Sequence, residues 1–175
     1  MEIDRNTIYD ARLFHPSTIL VCGPTGSGKT IFTKSLIEHS QDIFQPGAAK
    51  FVVLIYDIWQ EAYDYLVDNK LVHLAIKGLD DFDYIKEVLT EKKHCEGSLL
   101  IIDDQLPRID QNIVDIFTIY SHHLNGTCVL LTQSLFVSKK EFRTVSLNSH
   151  YIVLMKNARD RSSITHLAKQ THPYR

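Results

Sequence analysis

The sequence contains no apolar run approaching the ~18 residues that a membrane span requires. Its first residues, Met1-Glu-Ile-Asp-Arg5, lack the basic-then-apolar order of a secretory signal. Both absences predict a soluble, intracellular protein that is not secreted and does not engage a membrane. Cysteine is scarce, and Cys22, Cys95 and Cys128 form neither a CxxC pair nor an even set. That excludes a disulfide framework and predicts buried free thiols. Cys95 stands beside His94, but no further ligand follows at metal-site spacing. Repeats, low-complexity tracts and linkers are missing, and 175 residues leave little room for a second domain when one takes roughly 150. Net charge is also small, at -2, which argues against a protein that coats nucleic acid with its whole surface. The charge is unevenly spread, however. Residues 138–175 hold eight Lys or Arg against two acids, a balance of +6 against -8 for the remainder. That basic part either faces something anionic or is a solvated surface.

What is present is a series of short apolar runs: Thr18–Cys22, Phe51–Tyr56, Leu71–Ile76, Ser98–Ile102, Thr127–Thr132 and Tyr151–Met155. They are continuous rather than alternating, as in parallel strands covered on both faces. Between them lie helix-spaced stripes: Trp59, Tyr63 and Leu66; Ile85, Val88 and Leu89 in a helix starting near Asp81; and Ile113, Phe117, Tyr120 and Leu124. Gln45-Pro-Gly-Ala-Ala49 reads as a helix-to-strand loop and Asn125-Gly126 as a turn after a helix. Strands alternating with helices predict an α/β protein with a central, mostly parallel sheet and helices on both faces.

One motif narrows the class. Gly23, Pro24, Thr25, Gly26, Ser27, Gly28, Lys29 and Thr30 fit GxxxxGK[ST] in full, directly after one apolar run and before a helical pattern containing Phe32, Leu36 and Ile37. Glycines let such a loop curl so that backbone N–H groups face phosphate oxygens at a helix N-terminus. Lys29 then reaches the β- and γ-phosphates, and Thr30 offers its hydroxyl to Mg2+. A second run, Leu99-Leu-Ile-Ile-Asp103-Asp104, ends in two adjacent acids. Asp103 is assigned to Mg2+, and Asp104 either activates the attacking water or caps the segment Gln105-Leu-Pro107. A third run ends in Thr132-Gln133, polar groups able to sense the γ-phosphate, with Gln133 the better donor and acceptor and Thr132 the alternative. The expectation is therefore a P-loop NTPase of the additional-strand class: one ATPase domain over residues 1–175, its core at about 14–170.

The succession Gly23 to Thr30, Ile101-Ile-Asp103-Asp104, Leu131-Thr-Gln133-Ser-Leu-Phe136 and Arg143-Thr-Val-Ser-Leu-Asn148 through Tyr151 to Asp160 resembles the packaging ATPases of the FtsK/HerA superfamily. The resemblance is to the poxvirus-type branch, which also occurs in Polinton or Maverick elements and adintoviruses. It implies a homo-oligomeric ring that hydrolyses Mg2+-ATP to move double-stranded DNA into a capsid, at an assembly site in the host nucleus or cytoplasm. It also implies an arginine donated in trans, either Arg143 or Arg159, although Arg159 could instead pair with Asp160 or Asp104 within the chain. Lys139 and Lys140 would meet DNA phosphates without reading sequence, and a capsid or portal protein would be a further partner. Members of that family tend to continue past the position of Arg175, so a C-terminal truncation belongs to the expectation. The alternatives are a small nucleotide kinase, with the same loop but a lid over a second nucleotide, another P-loop NTPase, and an inert nucleotide-binding module. A GTPase fits less well, since no NKxD segment follows.

Overall fold

The structure is a computed structural model and describes residues 10–47, 49–92, 97–103 and 109–171. Asp104, the Gln105-Leu-Pro107 segment and the His94-Cys95 pair fall outside the described residues, as does the Tyr120 side chain. In chain order the elements are β1 (Leu13–Phe14), β2 (Thr18–Cys22), α1 (Lys29–Glu38), α2 (Ser40–Ile43), β3 (Phe44–Gln45), β4 (Phe51–Tyr56), α3 (Glu61–Asp68) and β5 (Leu74–Lys77). There follow α4 (Phe82–Lys92), β6 (Ser98–Asp103), α5 (Gln111–Asp115), a π-helical turn (Ile116–Tyr120), α6 (Ser121–His123), β7 (Gly126–Thr132), α7 (Lys140–Leu147), β8 (Tyr151–Leu154) and α8 (Arg161–Thr171).

Six strands form one sheet in the order β5-β4-β6-β7-β2-β8, and every neighbouring pair is parallel. β7 thus stands between β2, which leads into the glycine-rich loop, and β6, which ends in Asp103. That intervening strand defines the additional-strand class. Register fixes the consequence: Cys22 aligns with Thr132 and with Leu154, and Asp103 with Leu131. The strand ends that carry polar chemistry therefore converge at one edge of the sheet, where parallel α/β folds bind ligands.

Both faces are buried, which explains the continuous apolar runs. Leu20, Leu100, Ile102, Cys128 and Leu130 pack on one side with Phe82, Ile85 and Leu89 of α4, Ile113 of α5 and Phe142 and Val145 of α7. Ile19, Val21, Leu99, Ile101, Val129 and Leu131 pack on the other with Leu36 and Ile37 of α1 and Tyr63 and Leu66 of α3. Each such fully buried aliphatic contributes about 1.5–3 kcal/mol relative to exposure. Strand alternation then decides where Asp103 points, because it shares the parity of Leu99 and Ile101 and so faces the α1 and α3 side. Asp110 caps α5, accepting from Asn112 N at 2.9 Å and Ile113 N at 3.4 Å.

Three local expectations are corrected. The run Leu71–Ile76 begins as a helix ending, since Leu71 N and Val72 N both donate to Leu66 O at 2.8 and 3.2 Å, and pairing starts at Leu74. Trp59 belongs to no helical stripe; it precedes α3 and is 39% exposed. Gln45 is not only loop, for Phe44–Gln45 pairs in parallel with Leu13–Phe14 as a separate two-stranded sheet. The Asn125-Gly126 turn forms as read, with Asn125 at φ 50. Among the described residues no helix is long and apolar enough to cross a membrane.

Candidate active site

The glycine-rich loop leaves β2 and enters α1 through backbone conformations that its sequence makes accessible. Gly26 and Gly28 sit at φ 76 and 95, the left-handed region that a side chain disfavours. Gly23 is required for a different reason: a Cβ there would lie 2.6 Å from both Met155 Cβ and Ser27 Oγ. The loop is pinned at its start by Gly23 N donating to Thr132 O at 3.0 Å, and across its middle by Ser27 N donating to Pro24 O at 3.1 Å. Met155 N, donating to Cys22 O at 2.8 Å, seats the end of β8 against it. Lys29 curls back, its Nζ donating to Gly23 O at 2.6 Å and Pro24 O at 3.2 Å.

The loop borders a cleft of about 280 Å³ lined by Thr25, Gly26, Gly28 through Ile31, Gln60 and Asp103. On its far wall Thr30 Oγ1 donates to Gln60 Oε1 at 2.8 Å, and Gln60 Nε2 donates to Asp103 Oδ2 at 2.9 Å. The Tyr63 hydroxyl also donates to Asp103 Oδ2. Tyr63 is fully buried and Asp103 is 4% exposed, so α3 and the residue just before it present both donors to a carboxylate held below the surface.

These residues fit a phosphate chain and a hard cation. The Ser27 hydroxyl is buried and has no hydrogen-bond partner, an orphaned donor inside the loop that a phosphate oxygen would satisfy. Thr30 and Asp103 supply the hydroxyl and carboxylate oxygens that Mg2+ takes, at one wall of the same cleft. Lys29, Thr30 and Asp103, expected together from the sequence, do lie together at this cleft, and they are joined by Gln60 and Tyr63, which belong to neither motif. A usable signal existed: Gln60 follows β4 at the same sheet edge as the loop and Asp103, where polar residues after parallel strands gather.

The remaining candidates lie elsewhere. Thr132 is buried and its hydroxyl donates to Ser134 O at 3.2 Å, so its side chain serves its own turn while its carbonyl holds Gly23. Gln133 follows β7 exposed and does not line the cleft. Arg143 is exposed on α7 beside a separate groove of about 300 Å³ that includes Leu135, Phe136, Leu147 and Gln170. Arg159 is exposed between β8 and α8, where Asn157 Oδ1 accepts from Arg159 N and Asp160 N at 3.0 and 3.2 Å. It does not pair with Asp160. That carboxylate accepts from both Ser163 and Ser162 at the start of α8, bonds that hold it below the usual carboxylate range. Neither arginine lines the cleft.

The buried-thiol reading holds for two cysteines. Burial pushes the Cys22 thiol up to about 11 although Lys29 opposes it, and raises Cys128 well above its ordinary value. Both are inert by this measure.

An all-parallel sheet with an inserted β7, a glycine-rich loop bearing Lys29 and Thr30, and a carboxylate two strands away define a P-loop ATPase. The chain belongs to the Poxvirus A32 protein family, whose sequence model matches residues 5–168, in line with the poxvirus-type branch that its motifs resemble. No curated protein matches it. Among solved structures it is similar to the cytoplasmic domain of EssC, with 14% identity and a TM-score of 0.58 over 87% of this chain and 33% of that one. It is also similar to a KaiC-like protein, PH0186, from the hyperthermophilic archaeon Pyrococcus horikoshii OT3, with 12% identity and a TM-score of 0.54 over 82% and 76% of the two chains. At these identities the likeness shows the fold alone. The chain spans about a third of the EssC chain.

Proposed function

We propose that this protein is the ATP-hydrolysing subunit of a motor that drives double-stranded viral DNA into a capsid. The observation that carries the reading is the meeting of Lys29, Thr30 and Asp103 in one cleft, in a chain of the packaging family. Lys29 would exchange its bonds to Gly23 O and Pro24 O for the β- and γ-phosphates of ATP. Thr30 and Asp103 would hold Mg2+, which when bound draws charge from the phosphate oxygens. Asp104, next in sequence, would take the proton of the attacking water. Gln133 would report on the γ-phosphate from the end of β7. Because Arg143 and Arg159 lie away from their own cleft, either would act on a neighbour's site in a ring, stabilising charge on the transferring phosphoryl group. Lys139 and Lys140, at the start of α7, would meet DNA phosphates. The motor would work at an intracellular assembly site, nuclear or cytoplasmic, against a capsid or portal protein.

The test is ATP hydrolysis by the purified protein with and without double-stranded DNA, repeated with Asp104→Asn and across a salt titration. DNA-stimulated turnover that Asp104→Asn abolishes is the expected result. Phosphate transfer to a nucleoside monophosphate would instead identify a kinase, and nucleotide binding without turnover an inert module.

A further inference from the structure

We propose that Gln60 is a positioning residue for the cation-binding wall of the cleft, its side-chain amide tying the Thr30 hydroxyl to the Asp103 carboxylate and aiming both. The inference rests on the ATPase reading and adds to it a residue outside the P-loop and acidic motifs.

Chemistry fixes the direction of the amide. A carboxylate accepts only, so the group 2.9 Å from Asp103 Oδ2 has to be Nε2, and Oε1 is left to accept from Thr30 Oγ1 at 2.8 Å. A flipped amide would set two acceptors against each other at Asp103. With its proton committed to Gln60, the Thr30 hydroxyl keeps its lone pairs to offer a cation. Asp103 is restrained from a second direction by Tyr63, on a ring with no exposed surface.

The backbone around Gln60 is fastened as well. Gln60 immediately precedes α3 in an extended conformation (φ -120, ψ 144), and its carbonyl accepts from Tyr63 N at 2.9 Å. Trp59 beside it stacks edge-on to Tyr56 and Tyr63, at 4.9 and 5.7 Å between ring centres, and donates to Asp64 Oδ1 at 2.7 Å. A side chain aimed from so constrained a base costs little entropy to hold in place. Partners of this kind around metal ligands typically change metal affinity 10- to 100-fold when removed.

The experiment measures ADP binding by calorimetry in EDTA and at increasing Mg2+, for the parent chain, Gln60→Ala and Tyr63→Phe. Gln60→Ala is expected to raise the Mg2+ concentration at half-effect 10- to 100-fold while leaving ADP affinity in EDTA within about twofold. Tyr63→Phe, which keeps the buried ring and removes only the hydroxyl, should shift it in the same direction by less, and carries the test if Gln60→Ala fails to fold. The single tryptophan, Trp59, adjoins Gln60, so the Mg2+-dependent change in its fluorescence should shift in parallel. An unaltered Mg2+ requirement overturns the inference, and so does an equal loss with and without Mg2+, which would mark Gln60 as part of the general shape of the loop. A parent chain that binds no ADP in either condition overturns the ATPase reading and this inference with it. Binding by the parent alongside an unshifted Gln60→Ala overturns the inference alone.

Discussion

β7 and β8 both pair with β2, one on each side, yet they are built for different work. β7 is buried at every residue and has β6 beyond it, so it ties the phosphate-binding loop to Asp103 through continuous, dry structure. β8 is half-buried throughout and ends the sheet. It leads into Lys156, Arg159 and α8, a helix with no buried residue that packs on the core through the half-buried Leu167. Nucleotide chemistry needs atoms held to a fraction of an ångström and sits on the buried side. The outer side concentrates positive charge and exposed backbone elements where a polyanion or another subunit would be met. Lys156, Arg159, Arg161 and Lys169, half of the eight bases counted between residues 138 and 175, lie on this side.

The largest effects should come from the inner side. Lys29→Ala is expected to lower ATP turnover by about 10²- to 10³-fold, the scale seen when one preorganised charge-stabilising donor is lost. Steady-state hydrolysis checks it, and turnover within threefold of the parent would place the chemistry elsewhere. In stability, Leu131→Ala on β7 should cost about 2–5 kcal/mol in urea unfolding, whereas Ile152→Ala on β8 should cost less than half as much because that side chain is already partly in water. Equal costs would erase the distinction between the two strands.

Gly23→Ala tests the place where the two sides touch. Its new methyl would collide with Met155 Cβ, on the β8 side, and with Ser27 Oγ in the loop. Overpacking of this kind costs about 1–3 kcal/mol, and nucleotide binding should fall with it. Met155→Gly in the same chain, which removes that Cβ, should return part of the lost stability without restoring the loop, since the clash with Ser27 remains.

At the start of α7 the expected changes are electrostatic. Replacing Lys139 and Lys140 together by Ala should leave the urea midpoint nearly unchanged, within about 0.5 kcal/mol for surface positions. The same pair should flatten the dependence of log DNA affinity on log salt by roughly 1.8, two phosphate contacts at about 0.9 each. A salt slope identical to the parent's would remove these lysines from the DNA-binding surface.

Much of the inner side was legible because its residues carry period and motif together. The run Thr18–Cys22 followed by Gly23 to Thr30 admits few folds, and the Ser98–Ile102 run ending at Asp103 places a carboxylate at a strand tip. What escaped had no such signature. Strands of two residues, Leu13–Phe14 and Phe44–Gln45, are too short to show a pattern. Leu71 and Val72 look like strand residues, but their N–H groups close α3 on Leu66 O, a tertiary choice that hydrophobicity alone does not reveal. Gln60 and Tyr63 act through side chains 43 and 40 positions from Asp103, a separation at which only strand order and parity bring them together. Arg143 and Arg159 stay a pair of candidates because both are exposed and neither lines the cleft.

The smallest expected effect tests the β8 edge by pH. His150 fastens the start of β8 to β2: its N donates to Thr18 O at 2.9 Å, and its Nδ1 accepts from Thr18 N at 3.1 Å. Burial first, and then the nearby His122, hold its pKa below the ordinary 6.5. The folded state thus binds this proton less readily than the unfolded chain, so between the two pKa values unfolding takes up protons and stability rises with pH. The contribution is complete above the unfolded value near 6.5 and is lost as pH falls through the folded one. His15, whose pKa burial also lowers, adds a slope of the same sign at the other margin of β2. Urea midpoints between pH 7.5 and 5 should therefore fall less steeply for His150→Gln than for the parent. In a His15→Gln background, which removes the titrating contact to Thr127 of β7, amide exchange should show the acid-induced loosening at Tyr151–Leu154 and not at β7. If β7 loosened together with β8, the two strands flanking the P-loop strand would be one cooperative unit, and the outer edge could not move against the nucleotide site without disturbing it.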